Sequence, residues 1–272
     1  MLHPALSDRL SLALRCAREA GDLTLSYFRT NTLGTERKGD GSHVTIADRE
    51  AEKLMRSLIQ REFPNDSILG EEWGETAPAS GASDFRWVLD PIDGTASFVH
   101  GVPLYGTLIG IDRLNPESGE REGVIGVCRN PALGEMVYAA RGTGAWYTQG
   151  DAKPIRTHVS DVASAAEGTW TCTSLDYFVK GGVGPVYPRL QDAFEHTRGW
   201  SDCYGITLLA TGRVEAVIEP LVKVWDICAA QPIIEEAGGK FTDWRGRRSI
   251  TSGNCVMSNG KVHEAAMRVV GA

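Results

Sequence analysis

The stretch Trp87-Val88-Leu89-Asp90-Pro91-Ile92-Asp93-Gly94-Thr95 is the part of the chain best equipped for chemistry. Three apolar residues form a strand-like run, and two carboxylates follow with a proline and a glycine beside them. Pro91 fixes its own φ and biases Asp90 to an extended conformation, while Gly94 permits a sharp reversal. Across such a turn the two aspartates can converge on one point. Unpaired carboxylates so close repel and raise a pKa, and a hard cation between them resolves the conflict. A helix starting at Gly94 aims free N–H groups at the same place, which suits a phosphate. The competing explanation is plain turn chemistry, since Asp-Pro opens turns and Asp-Gly occupies them. The segment lacks the alternating acids and final glutamate of an EF-hand loop. Its Asp-x-x-Asp gap also departs from the Asp-x-Asp of an aspartyl nucleophile.

Two further places put acids at the edge of an element. Gly70-Glu71-Glu72 ends the strand-like Ser67-Ile68-Leu69, and Trp225-Asp226 opens a helix-like run into Ala229-Ala230. Taken singly, Glu71 and Glu72 read as solvated surface and Asp226 as an N-cap. Taken together, Glu71, Asp90, Asp93 and Asp226 make an all-oxygen set for two hard cations, the arrangement phosphoryl chemistry uses.

Periodicity predicts the elements that must hold these acids. From His3 to Arg29 the apolar positions recur every three or four residues, one stripe on a helix. Lys38-Gly39-Asp40-Gly41-Ser42 breaks the pattern, and a second helix is expected from about Thr45 to Glu62, closed by Phe63-Pro64. Strand signals follow at Ser67 to Gly70 and Arg86 to Leu89, with a surface loop over Glu75 to Ser83. Thr107 to Arg113, Gly123 to Arg129 and Glu135 to Ala140 read as an antiparallel meander. Beyond about Gly150 strands and helices alternate: Gly168 to Thr173, Asp202 to Thr211, Val214 to Ile218, Asp226 to Ala237 and Cys255 to Ser258. The expectation is α/β (α+β), with layered helices and two abutting halves in one compact unit. Residues 1–150 carry the metal motifs and residues 151–272 the specificity elements.

Composition narrows the function. The chain has 272 residues, and 28 Lys+Arg against 35 Asp+Glu leave a net charge of −7, which argues against a nucleic-acid partner. The six cysteines are scattered singly with no Cys-x-x-Cys, so zinc fingers and redox pairs drop out and a reducing compartment is expected. No apolar run approaches the roughly 18–20 residues of a membrane span, and Met1 to Arg18 lacks the stretch of a signal peptide. A soluble, cytoplasmic protein is expected, with no membrane partner.

Gly70-Glu71-Glu72, the run Trp87 to Thr95, and Val224-Trp225-Asp226 through Glu235-Glu236-Ala237-Gly238-Gly239 together resemble the inositol monophosphatase family. Order and spacing match along nearly the whole chain. The resemblance implies a layered αβαβα sandwich, hydrolysis of a small phosphate monoester, and a homodimer. It implies two or three magnesium ions, with manganese as a substitute. It assigns Glu71, Asp90, Asp93, Asp226 and the Ile92 carbonyl as metal ligands. Backbone N–H groups of Gly94 and Thr95 would meet the phosphate, and Asp93 and Asp226 would border the substrate. Thr95 would orient the attacking water with Glu71 close by, and Asp48 would hydrogen-bond the threonine hydroxyl. Lys38-Gly39-Asp40 and Val44-Thr45-Ile46-Ala47-Asp48 match the family's mobile N-terminal loop and the helix after it.

Specificity is expected in the second half. Arg198-Gly199-Trp200-Ser201-Asp202-Cys203-Tyr204, Glu219-Pro220 and Phe98 to Gly110 resemble the branch that contains histidinol-phosphate phosphatases. That substrate carries an ammonium and an imidazole, for which Asp202 and Glu219 are suitable partners, whereas inositol phosphate offers hydroxyls. Glu219 also matches an acid that grips a hydroxyl in inositol enzymes, and Asp202 also fits an N-cap. Three readings stand: a histidinol-phosphate phosphatase of histidine biosynthesis, a phosphatase of inositol or another polyol phosphate, and a metal-binding regulatory module without turnover.

Overall fold

Alternation along the strands decides which helices each sheet face meets. In the computed structural model, which describes residues 4–30, 34–37, 39, 43–78, 81, 83–116, 118–200 and 202–271, two sheets alternate with three layers of helix. Lys38, Asp40, Gly41, Ser42 and Ser201, singled out above, lie outside the described residues.

Helix α1 (Pro4–Tyr27) is followed by a short hairpin, β1 (Glu36–Arg37) and β2 (His43–Val44), and by α2 (Ile46–Glu62). The first sheet contains β3 (Ser67–Gly70), β4 (Gly74–Thr76), β5 (Phe85–Asp93), β6 (Gly106–Leu114), β7 (Arg121–Asn130), β8 (Glu135–Ala140), β9 (Ala145–Gln149) and β10 (Ile155–Thr157). Its spatial order is β10-β9-β8-β7-β6-β5-β3-β4, antiparallel throughout except where β3 runs parallel to β5. Helix α3 (Thr95–Val99) interrupts it after β5. The second sheet has the order β12-β11-β13-β15-β14, from β11 (Thr169–Thr171), β12 (His196–Arg198), β13 (Ala216–Glu219), β14 (Lys240–Thr242) and β15 (Cys255–Ser258). Between and after its strands run α4 (Leu175–Lys180), α5 (Val186–Ala193), α6 (Cys203–Ala210), α7 (Val224–Ile227), α8 (Ala230–Glu236) and α9 (His263–Val270).

Trp87, Leu89, Ile109 and Ile111 point to one side of the first sheet and pack on Leu12, Cys16, Met55 and Ile59 of α1 and α2. Their neighbours Val88 and Leu108 point to the other side, against Leu209, Ile233 and Ile234 of α6 and α8. Val217 and Met257 of the second sheet close this middle core, while Ala216, Ile218 and Val256 face outward onto Phe178, Leu190 and Ala266. Period-two side-chain direction thus produces the expected αβαβα sandwich. All six cysteines are unpaired and buried, and no described helix is long and apolar enough to cross a membrane.

Two expectations are revised. The joint expected near 150 falls inside the first sheet, whose edge strand is Ile155–Thr157. The helix expected over Asp226 to Ala237 is two helices, because Pro232 has no N–H to donate to the Cys228 carbonyl four residues back. The two- and three-residue strands β1, β2, β10, β12 and β14 carry too few residues to show a period, and helices α4, α5 and α9 add to the expected elements.

Candidate active site

In a regular strand Asp90 and Asp93, three residues apart, would face opposite sides. The β5–β6 ladder slips here: Asp90 pairs with Leu108, and Asp93 with Gly106, so one extra residue is accommodated on β5. A bulge of this kind returns both carboxylates to one side. Pro91, which has no N–H for the ladder, occupies the bulge, and its carbonyl accepts the Thr107 hydroxyl at 2.9 Å. Gly94 then takes φ +80°, a left-handed conformation that glycine adopts without a Cβ penalty, and α3 begins.

Asp226 arrives from α7, which packs against β5 and β6. The Lys223 N–H donates to its Oδ2 at 2.7 Å and fixes the side chain. One carboxylate oxygen from each of Asp90, Asp93 and Asp226 lies within 4.8 Å of the others. Glu71 follows β3, where the parallel register pairs Gly70 with Leu89. It stands beside Asp90 and raises that carboxyl's pKa further, yet falls outside the trio. Ile92, its side chain buried, offers its carbonyl to the Thr95 hydroxyl at 3.0 Å.

The electrostatics ask for a cation. Burial first, then repulsion from Glu71, Asp93 and Asp226, drives the Asp90 carboxyl well above its usual range. Burial and the charges of Asp202 and Asp226 do the same to Asp93. Burial pushes Asp226 up to about 7, against the Lys223 N–H that favours its ionised form. Asp90 Oδ1 is buried with no hydrogen-bond donor. An orphaned carboxylate oxygen, a converging trio and purely oxygen donors fit a hard divalent cation such as magnesium.

Asp48 departs from expectation. Its Oδ2 accepts from the Thr45 N–H at 2.8 Å and the Thr45 hydroxyl at 2.5 Å, closing the start of α2, and Thr95 bonds Ile92 instead. The local cap takes one Asp48 oxygen, while Oδ1 is buried without a donor. Burial lifts this carboxyl to about 7, the Thr45 hydrogen bonds pulling the other way.

Asp202 sits just before α6 with φ +57° and ψ −152°, a conformation rarely tolerated outside glycine and costing about 1–3 kcal/mol. It occupies the N-cap position, yet its side chain makes no capping bond. Its Oδ2 lies 3.1 Å from where a Cβ on Gly94 would stand, so its carboxylate borders the turn after β5. Burial raises it to about 6, moderated by a hydrogen bond with Thr173. The same threonine donates to Glu219 Oε1, through N–H at 2.7 Å and hydroxyl at 3.1 Å. Asp202 and Glu219 therefore share one partner beside the acidic trio. Tyr204 turns away, its hydroxyl accepting from Arg213, and exposed Trp200 lies under the Arg198 guanidinium.

Two residues here escaped sequence reasoning. Burial first, then the charges of Asp202, Asp93, Asp226 and Glu219, pushes the Tyr177 phenol up to about 12. Glu52, fully buried on α2, accepts from the Glu72 N–H at 2.8 Å and the Trp73 N–H at 3.2 Å. The spacing Asp48, Glu52, Arg56 was its signal: three charges at i, i+4 and i+8 share one helix face, and all three are buried.

The inositol monophosphatase family profile matches residues 5–271. The chain is 41% identical over 255 residues to a histidinol-phosphatase of Chlorobaculum parvum, covering 93% of this chain and 92% of that one. It is 35% identical to a histidinol-phosphatase of Mycobacterium tuberculosis, covering 96% of each. A solved IMPase of Thermotoga maritima is similar to it with a TM-score of 0.81 and 30% identity, covering 97% of this chain and 96% of that one.

Proposed function

The chain belongs to the inositol monophosphatase family, and we propose that it hydrolyses histidinol phosphate to histidinol and phosphate. Its class, phosphoric monoester hydrolase, follows from that membership. The observation that carries the substrate is Asp202: a carboxylate on a strained backbone, bordering the acidic trio and unused as a cap. Histidinol phosphate has an ammonium and an imidazole to meet it, and a polyol phosphate has neither. The relatives named histidinol-phosphatase support the same substrate.

In this reading Glu71, Asp90, Asp93, Asp226 and the Ile92 carbonyl hold two or three magnesium ions, for which manganese substitutes. Bound magnesium supplies the positive charge that acidifies the attacking water and offsets charge on the phosphate and the leaving alkoxide. Thr95 commits its own proton to Ile92, so its oxygen is left to accept a hydrogen bond from the attacking water and turn that water's lone pair toward phosphorus. Glu71 takes the proton released. The first N–H groups of α3, at Gly94 and Thr95, receive phosphate oxygens. Attack is in line and inverts phosphorus. Asp48, closing α2 with Thr45, acts by holding the neighbouring segment rather than through Thr95.

This activity is a step of histidine biosynthesis. The unpaired, buried cysteines support a reducing, cytoplasmic setting, and the family resemblance supports a homodimer. The test is parallel hydrolysis of histidinol phosphate and inositol 1-phosphate with magnesium. A kcat/KM at least tenfold higher for histidinol phosphate is expected; equal values, or a preference for the inositol ester, would overturn the substrate.

A further inference from the structure

Glu71 stands beside Asp90 at the start of the turn between β3 and β4, and the structure shows what fixes that loop. Three successive N–H groups are committed: Glu71 to the Leu89 carbonyl at 3.1 Å, Glu72 to Glu52 Oε2 at 2.8 Å, and Trp73 to Glu52 Oε1 at 3.2 Å. Glu52 is fully buried, and Arg56 matches its charge, Nε to Oε1 at 2.7 Å. Arg56 reaches further along the same loop, donating to the Thr76 hydroxyl at 2.8 Å and to the Gly74 carbonyl. A Cβ at Gly70 would lie 2.0 Å from Glu52 Oε1, so the backbone approaches this carboxylate more closely than any other residue type permits. A buried carboxylate without its donors costs heavily, so the pair and the loop hold each other in one geometry.

We propose that Glu52 and Arg56 are positioning residues that set the affinity of the cation site by fixing Glu71. They touch neither substrate nor cation. Orienting groups behind a ligand typically cost 10–100-fold in metal affinity when removed. Glu52→Gln keeps the shape, but its NH2 group meets an N–H or the Arg56 guanidinium, donor against donor. Gly70→Ala leaves the Glu52–Arg56 pair intact and pushes the loop away from it.

The proposal rests on the reading that Glu71 faces a bound cation, and calorimetric titration of the full chain with magnesium alone separates the two. Magnesium dissociation constants about 10–100-fold weaker in Glu52→Gln and Gly70→Ala are expected, with kcat for histidinol phosphate restored at saturating magnesium. If the parent binds magnesium and the folded variants bind it equally well, the pair is merely structural and the proposal is overturned. If the parent itself binds none, the cation reading fails first. Should Glu52→Gln not fold, Gly70→Ala decides alone.

Discussion

Asp93 and Asp226 carry the sharpest single-residue predictions, because each is half-buried, repelled by its neighbours and turned toward the other. Replacing either carboxylate by an amide removes a ligand charge while keeping volume. Asp93→Asn and Asp226→Asn should each cut kcat by more than about 100-fold at saturating magnesium, since a water's activation depends on the bound charge. The chelated variants should melt at a higher temperature than the chelated parent, because one like charge has left the trio. Turnover near the parent's in either variant would remove that residue from the site. Asp202 makes a different prediction. A charge-assisted hydrogen bond contributes about 1.5–3 kcal/mol, so Asp202→Asn should lower kcat/KM for histidinol phosphate about 10–150-fold. Hydrolysis of inositol 1-phosphate should hardly change, since Asn at this backbone carries the same strain as Asp and no capping bond is lost. An unchanged ratio of the two specificity constants would take Asp202 out of the substrate site.

The turn after β5 tests whether an element, rather than a side chain, assembles the site. An L side chain at Gly94 must adopt φ +80°, and its Cβ would stand 3.1 Å from Asp202 Oδ2 and 3.2 Å from the Leu104 carbonyl. Gly94→Ala should therefore cost about 1–2 kcal/mol of stability by urea denaturation and lower kcat as α3 shifts against the trio. Parent-like stability would mean that the turn relaxes freely. This turn was legible in the sequence because its constraints are local: Pro91, Gly94 and two acids fall within six residues. Long periodic elements were legible for the same reason, as α1, α2 and the meander from β6 to β8 show. Glu52 was not, since its partners Glu72 and Trp73 lie across the chain and only the folded loop brings them to it. Asp48 instead closes α2 through Oδ2, a local contact, while the Thr95 hydroxyl is committed to the Ile92 carbonyl, a pairing set by the turn after β5. Edge strand β10 extends the first sheet beyond 150 because pairing with β9 is a register fact, invisible in three residues.

At the scale of the molecule, α6 and α8 lie between the two sheets and share one core with both, so ligation at the β5 turn should register in the melting of the whole chain. The pH dependence separates two buried sets of opposite sign. Asp226 and Asp48 are raised to about 7 and Asp202 to about 6, from 3.8. Their protonated burial contributes stability that is fully present below pH 3.8 and lost as pH rises through about 7. His263, held by Ser258 and Thr242, is depressed from 6.5 to about 4, mainly by burial. Its contribution is present above pH 6.5 and lost as pH falls through about 4. In chelated protein the two trends oppose each other between about pH 4 and 6.5, and only the acids act above that. Of these acids only Asp226 is a ligand in the proposed site, so magnesium must compete with its proton, and it leaves His263, packed in the outer core, untouched. A cation at a hundred times its dissociation constant stabilises by about 2.7 kcal/mol, and at pH 5 much of that goes to displacing protons. The increment in melting temperature between magnesium and chelator should therefore be small at pH 5 and large at pH 8. Differential scanning calorimetry across that range measures it, and an increment that does not change with pH would mean that Asp226 does not hold the ion.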